Sequence, residues 1–433
     1  MKAIYRLLAV LLVGILILAA CAPQEPAPAP EAAPTEAPAP AEEAAPIEET
    51  APAEEPEALP ETGLSGNVVL WHSWKESEIP ALNEVIASFQ EQYPDVTFEV
   101  LYTPHEDLRG KFETAAATGG GPTVLIGSAD WGPAFYDAQL VEDVSERAGE
   151  EFLSGINEAA LDAVRYNDAL IGLPHTIKGV LMFRNTSIIP EAPATFDDLL
   201  AAAQEATEGD VFGASLERGL FFSAGHLTGL GGQLLDENGD PAFNTEEGVE
   251  WVNLLDSFSE AGPAEYDTDN DINLFRAGRA GIVIDGSWNM TAFAEAIGAE
   301  NLAIDPWPAH GDGQLSGYVQ TEDLFLSANA GDDADAGWAF MEHFMSSEAQ
   351  EILAGVGHIP AITAVEVTDP MMQQAVSVFE TGVAFPVIPE MNAYWAPMQT
   401  ALLSVFDEGA DPAEALTQAE ESIRAAVEDI RGQ

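Results

Sequence analysis

From Asn67 onward the apolar residues follow two alternating rhythms. Val68 to Trp71 is a short continuous apolar run, the pattern of a buried strand. Ile79, Leu82, Val85, Ile86, Phe89 and Tyr93 then recur at helical spacing, with Pro80 in the first turn, and predict an amphipathic helix. Val96 to Val100 alternates like a strand, and a helical stretch follows near 105–118. The turn sequence Thr118-Gly119-Gly120-Gly121-Pro122 then leads into the apolar run Val124-Leu125-Ile126. This β-α-β-α-β order predicts an open α/β sheet. In such sheets ligands bind in a crevice beyond the carboxyl ends of the strands, which is where Trp71-His72-Ser73-Trp74 and Asp130-Trp131 fall.

A second set of elements begins near Val180. Thr195 precedes Phe196-Asp197-Asp198-Leu199-Leu200 as an N-cap, with Asp198 at the third helical position in a capping-box arrangement. Leu235-Asp236-Glu237-Asn238-Gly239-Asp240 reads as a turn. Ala280 to Ile284 reads as a strand that ends in Asp285-Gly286-Ser287-Trp288-Asn289. The last helix, over roughly 412–431, carries Leu416, Ala419, Ile423, Val427 and Ile430 on one face. The chain has no internal repeat. At 433 residues it is suited to two lobes plus appendages.

The first 62 residues follow neither rhythm. Lys2 and Arg6 precede an apolar run, Leu7 to Ala20, too short for a permanent membrane span but suited to a signal-peptide core. Leu18-Ala19-Ala20-Cys21 resembles the lipobox of bacterial lipoproteins, which implies lipid attachment at Cys21 after cleavage. Cys21 is the single cysteine, so no internal disulfide forms. Residues 22–62 are almost entirely Ala, Pro and Glu, with 11 Pro and 11 Glu. Proline blocks backbone pairing and like charges extend the chain, so this stretch reads as a disordered tether.

Charge narrows the classes of partner. Lys and Arg number 14 against 74 Asp and Glu, a formal charge of −60. Phosphate backbones need cations, so nucleic-acid binding is excluded. An anionic membrane surface would also repel the chain, leaving a lipid as the means of attachment. Residues 63–433 keep 63 acidic and 12 basic groups, a net of −51, and just three lysines: Lys75, Lys111 and Lys178. Such an imbalance is a solvated acidic surface, and suits a salty habitat in which counterions screen self-repulsion. Asp267, Asp269 and Asp271 alternate like the start of a calcium loop, but Ile272 and Gly278 stand where such a loop needs Gly and Glu. The seven histidines are scattered without zinc-site spacing, and neither a phosphate-binding loop nor a G-x-S-x-G motif occurs. No metal, cofactor or catalytic residue is therefore expected.

Five motifs in order resemble the carbohydrate-binding proteins of ABC importers, over nearly all of 64–433. They are Val68-Val69-Leu70-Trp71; Ala116 to Pro122 leading to Asp130; Asp162 to Asn167 with Leu170-Ile171 and Pro174; Ile284 to Trp288; and Pro389 to Trp395. The resemblance implies an α/β fold of the two-lobe, periplasmic-binding-protein-like kind (type II), with hinge strands between the lobes. Carried onto this chain, the first lobe is 64–176 completed by 322–368, and the second is 181–316 completed by 370–433. The hinges then fall near 177–180 and 317–322. The implied protein is a monomer outside the cytoplasmic membrane, lipid-anchored through Cys21, that captures a carbohydrate such as a maltodextrin. It hands that sugar to the membrane subunits of an ABC importer.

Sugar recognition needs flat apolar faces against pyranose C–H groups, and planar polar groups for hydroxyls. Trp288 and Trp395 coincide with family positions that stack on sugar, and Asp130 with a carboxylate that accepts sugar hydroxyls. Trp74 falls in the crevice beyond the first strand, while Glu76 in the reversed pair Lys75-Glu76, Trp131 and Lys178 stand at positions where this chain departs from the family's maltose-binding members. Glu217, Phe221 and Phe222 align loosely with a segment that supplies an acid and an aromatic. The resemblance thus keeps the stacking platform and rewrites the polar contacts. A secreted glycosidase using two carboxylates is the alternative. With so many acidic residues some pair must lie at a suitable separation, so pair geometry alone decides little, and the two-lobe motif order with the lipid anchor and tether favours a binding protein.

Overall fold

The computed structural model describes residues 63–266 and 269–432. The segments expected to be signal peptide and tether, with Cys21, and the residues Asp267 and Thr268 lie outside the described residues. Strand β1 (Gly66–His72), helix α1 (Ile79–Gln92), strand β2 (Val96–Tyr102), helix α2 (His105–Ala116) and strand β3 (Val124–Ser128) follow one another in the expected order. Helix α1 forms because Pro80 fits the first turn and because Leu82, Val85, Ile86 and Phe89 share one buried face. Each such side chain contributes about 2 kcal/mol by leaving water. Tyr93, the last of the helically spaced positions, is the C-cap rather than a helical residue.

Beyond β3 the chain runs through the long strand β4 (Leu173–Asn185), then helix α3 (Phe196–Ala206), strand β5 (Phe212–Glu217) and helix α4 (Leu220–Gly229). Strands β6 (Ala280–Gly286), β7 (Leu302–Asp305) and β8 (Tyr318–Leu326) follow, and helices α5 (Trp395–Glu408) and α6 (Pro412–Arg431) close the chain. The start of α3 holds the expected capping box: Thr195 Oγ1 accepts from the Asp198 N–H and Asp198 Oδ2 from the Thr195 N–H, both at 3.1 Å. At α6, Asp411 caps the Glu414 N–H while Leu416, Ala419, Ile423 and Val427 are buried.

The main sheet runs in the order β2-β1-β3-β8-β4-β6-β5. β1 is parallel to β2 and β3, and β5 is parallel to β6, whereas β8 is antiparallel to both β3 and β4. β4 serves both halves of the sheet. Residues 173–179 pair with β8, and residues 180–184 pair with β6. A further short strand, Ile359–Pro360, pairs with Ile177 and Thr176.

The cores divide along the same line. One large apolar cluster joins Val180–Phe183, Phe196, Trp251, Ile282–Ile284 and Leu416–Val427. Two others gather Val68, Phe89, Leu324 and Phe344 on one face of β1 and β3, and Trp71, Phe112, Trp131, Phe135 and Phe325 on the other. The architecture is a two-lobe α/β fold in which β4 and β8 run from one lobe to the other. Among the described residues no helix is long and apolar enough to cross a membrane.

Candidate functional site

Strands β3 and β6, one on each side of the molecule, end in the same local device. After β3 the chain enters a 3-10 turn, Ala129–Trp131, and after β6 a second one, Ser287–Asn289. Each turn folds a tryptophan back over a glycine of its own strand. A Cβ at Gly127 would stand 2.7 Å from the Trp131 ring, and one at Gly286 would stand 2.1 Å from the Trp288 ring. Glycine is needed at both places so that the indole can lie on the backbone.

The second-lobe aromatics form one continuous surface. The Trp288 ring centre is 6.1 Å from Phe221 and 6.3 Å from Phe222, both at the start of α4. Phe221 meets Phe385 at 5.5 Å, and Phe385 stacks on Trp395 at 6.0 Å with an interplanar angle of 17°. Trp288, Phe221, Phe222 and Trp395 are half-buried, while Phe385 and Tyr318 lie buried as their base. Phe385 and Tyr318 were not among the sequence candidates. Phe385 falls in a run without strong periodicity, and Tyr318 opens a strand that reads as core.

The first lobe and the connecting strands supply polar groups. Lys178, on β4, places its Nζ 5.8 Å from the Trp288 ring centre and 2.9 Å from Glu322 Oε1 on β8. Burial works against the Glu322 carboxylate, but Lys178 and then His175 outweigh it and hold it well below the usual carboxylate range. Trp74 is buried and donates its Nε1–H to Glu322 Oε2 at 2.8 Å. Asp130 is buried, and burial pushes its carboxyl up to about 6 against the opposing charges of Arg109 and Lys178. Trp131 is also buried, with His105 tilted against it at 4.9 Å. Asp285, bonded to the Gly286 N–H and to Asn289 Nδ2, is likewise pushed by burial to about 6.

Two contacts close the gap between the lobes. Lys75 Nζ donates to Asn289 Oδ1, and Arg109 Nη1 donates to Asn392 Oδ1, each at 2.5 Å. The structure is therefore a closed one, with Lys178 against the Trp288 face of the aromatic surface. Lys75, Arg109, Asn289 and Asn392 were not among the candidates, because no local pattern reveals a partner more than two hundred residues away.

The candidates thus divide. Trp288, Phe221, Phe222, Trp395 and Lys178 come together, whereas Trp74 and Trp131 are buried in the apolar clusters packed on β1 and β3, and Asp130 is buried in the turn after β3. Glu217 is buried and turns back to accept the Gly219 N–H at 2.5 Å, at the start of α4. Glu76 is exposed, and among the described residues no hydrogen bond ties it to this group.

Comparison with known proteins agrees with this architecture. The chain is 25% identical over 363 residues to the maltotriose-binding protein of Pyrococcus abyssi, covering 79% of this chain and 78% of that one. It is 25% identical over 387 residues to the galactooligosaccharide-binding protein of Bacillus subtilis, covering 82% and 88%. Among solved structures, the GacH receptor of Streptomyces glaucescens, known unliganded and with acarbose, superposes with a TM-score of 0.77. It is 23% identical, covering 84% of this chain and 99% of the receptor. The maltose/maltodextrin-binding domain of Bdellovibrio bacteriovorus bound to maltotriose gives 0.76 at 20% identity, covering 84% and 100%. The family model for bacterial extracellular solute-binding proteins matches residues 84–380, well over half of the chain. The chain belongs to that family.

Proposed function

We propose that this protein captures an oligosaccharide, a maltodextrin being the first to test, and delivers it to the membrane subunits of an ABC importer. The observation that supports the proposal is the continuous aromatic surface of Trp288, Phe221, Phe385 and Trp395, with Lys178 beside Trp288. Stacking faces and polar groups are what a pyranose presents partners for. The sugar contacts would be Trp288, Trp395, Phe221, Phe222, Lys178 and Asp130, with Trp131 and Trp74 behind them. Glu76 and Glu217 would have to swing round to take part. The relatives named for maltotriose and galactooligosaccharide binding support a sugar ligand without choosing between these.

The lobes of this reading are 64–176 with 322–368, and 181–316 with 370–433, hinged near 177–180 and 317–322. The division of the apolar cores and the double pairing of β4 favour those limits. Lipid attachment at Cys21 would hold the monomer outside the cytoplasmic membrane, with residues 22–62 as tether. Cys21→Ser should then release the protein from the membrane fraction or block its processing, and unchanged membrane association with normal processing would refute the anchor.

The capture itself is tested by a thermal-shift and tryptophan-fluorescence screen over mono- and oligosaccharides. A ligand that binds only the folded protein raises stability by ~2.7 kcal/mol at a hundredfold excess over its Kd. No shift with any sugar would remove the proposal. Cleavage of an oligosaccharide during incubation would replace it with the glycosidase reading.

A further inference from the structure

A buried polar cluster lies along the crossing strands, and only its Glu322, through Lys178 and Trp74, touches residues of the sugar reading. His175 on β4, Glu322 on β8 and His358, just ahead of Ile359–Pro360, are each buried. One ring nitrogen of each histidine and one Glu322 oxygen all lie within 4.8 Å of one another. His358 Nε2 is 2.8 Å from Glu78 Oε1, and His175 Nε2 is 3.2 Å from Glu322 Oε2. A carboxylate can only accept, so each Nε2 carries the proton and each Nδ1 is left as a bare lone pair. Both Nδ1 atoms are buried without a hydrogen-bond partner among the described residues. Glu322 offers about four lone-pair directions, of which Lys178 Nζ, Trp74 Nε1 and His175 Nε2 take three. His358 Nδ1 and one carboxylate position are therefore unfilled, and an orphaned buried polar group is costly, while His175 Nε2 and Glu322 Oε2 stand 3.2 Å apart, as two ligands of one ion do.

We infer that His175, Glu322 and His358 form a binding site for one divalent transition-metal ion of the zinc type. Two imidazoles and a carboxylate are the donor set such ions take, with further positions left to water. Glu78 would be the positioning residue. Its bond to His358 Nε2–H fixes the tautomer that points Nδ1 toward a cation, the carboxylate–histidine arrangement common behind metal ligands. His175 would take its ligand position through Nε2, its proton moving to Nδ1, and the triangle must tighten by roughly an ångström to match metal–ligand distances of about 2.0–2.2 Å. A divalent charge would share the Glu322 carboxylate with Lys178, which remains beside it as a hydrogen-bond donor. The three donors come from three segments of different sequence position, paired side by side through β4. An ion there would tie those segments together. This holds whichever solute the cleft takes.

The test is calorimetric titration of Zn2+ into the chelator-stripped, untagged full chain with excess Mg2+ present. Magnesium occupies the oxygen-only sites of the acidic surface and leaves nitrogen ligands unclaimed. One equivalent should bind, and Co2+ in its place should give the visible absorption bands of nitrogen ligation. His175→Gln and His358→Gln should each abolish that stoichiometric binding, and Glu78→Gln should weaken it about 10–100-fold. An unmodified chain that takes up no stoichiometric Zn2+ overturns the site. So does binding that is unchanged in both histidine variants.

Discussion

At the scale of single residues, the two tryptophans of the second lobe decide between a binding surface and an ordinary core. Trp288 and Trp395 are half-buried in the closed structure and rest on Phe221 and Phe385. Loss of a well-packed aromatic anchor removes ~2 kcal/mol or more of affinity, about thirtyfold. Trp288→Ala and Trp395→Ala should each weaken sugar binding by that order while melting close to wild type. If they are core instead, each loses ~3–5 kcal/mol of stability and a melting scan shows it at once. Asp323 makes a second residue-scale prediction. It is fully buried on β8, and burial pushes its carboxyl up to about 8, with the Thr321 hydroxyl opposing. An acid raised in the folded state binds its proton more tightly there than when unfolded, so stability falls as pH rises from about 4 to 8. At pH 8 that loss is on the order of a few kcal/mol. Denaturant curves should show Asp323→Asn more stable than wild type at pH 8, with the gap closing at pH 5. Parallel pH dependence in the two proteins would mean that Asp323 does not titrate in this range.

At the scale of elements, local chemistry was legible where it is decided locally. The Thr195–Asp198 box, the Pro80 start of α1 and the apolar face of α6 follow from neighbours within a few residues. The turn after β3 was a candidate because strand ends in α/β sheets open into crevices, and the turn after β6 because its motif resembles the family's. Their cross-lobe partners were not legible. Lys75 reaches Asn289 and Arg109 reaches Asn392 only because the lobes close on each other. Charge-assisted bonds of this kind are worth about 1.5 kcal/mol each. Lys75→Ala combined with Arg109→Ala should therefore shift the unliganded protein toward an open form. Small-angle scattering should show a larger radius of gyration without sugar, and a common radius once sugar is saturating. An unchanged unliganded radius would rule these two contacts out as latches.

At the scale of the whole molecule, charge is the dominant quantity. Residues 63–433 carry 63 acidic and 12 basic groups. Several of those cations are spent on pairs within the fold, such as Arg184 with Asp305 and Lys178 with Glu322. The remaining repulsion is screened as the Debye length falls from ~10 Å at 0.1 M salt to ~3 Å at 1 M. The melting temperature should climb between those concentrations. Equal melting in chloride salts across the range would show that self-repulsion does not limit stability.

Sequence by itself determined the alternation of strands and helices and the caps, and it singled out the aromatic residues proposed to stack on sugar. Each depends on spacing along the chain, or on motifs read together with a family resemblance. Only the tertiary structure decided that Phe385 underlies Trp395 and that Glu217 turns to the Gly219 backbone. It also decided that His175 and His358, with no motif spacing, share a buried site with Glu322. The reason is physical: periodicity reports which face of an element is buried, whereas convergence depends on how distant segments pair. Here β4 and β8 cross the whole molecule, and residues far apart in sequence meet along them.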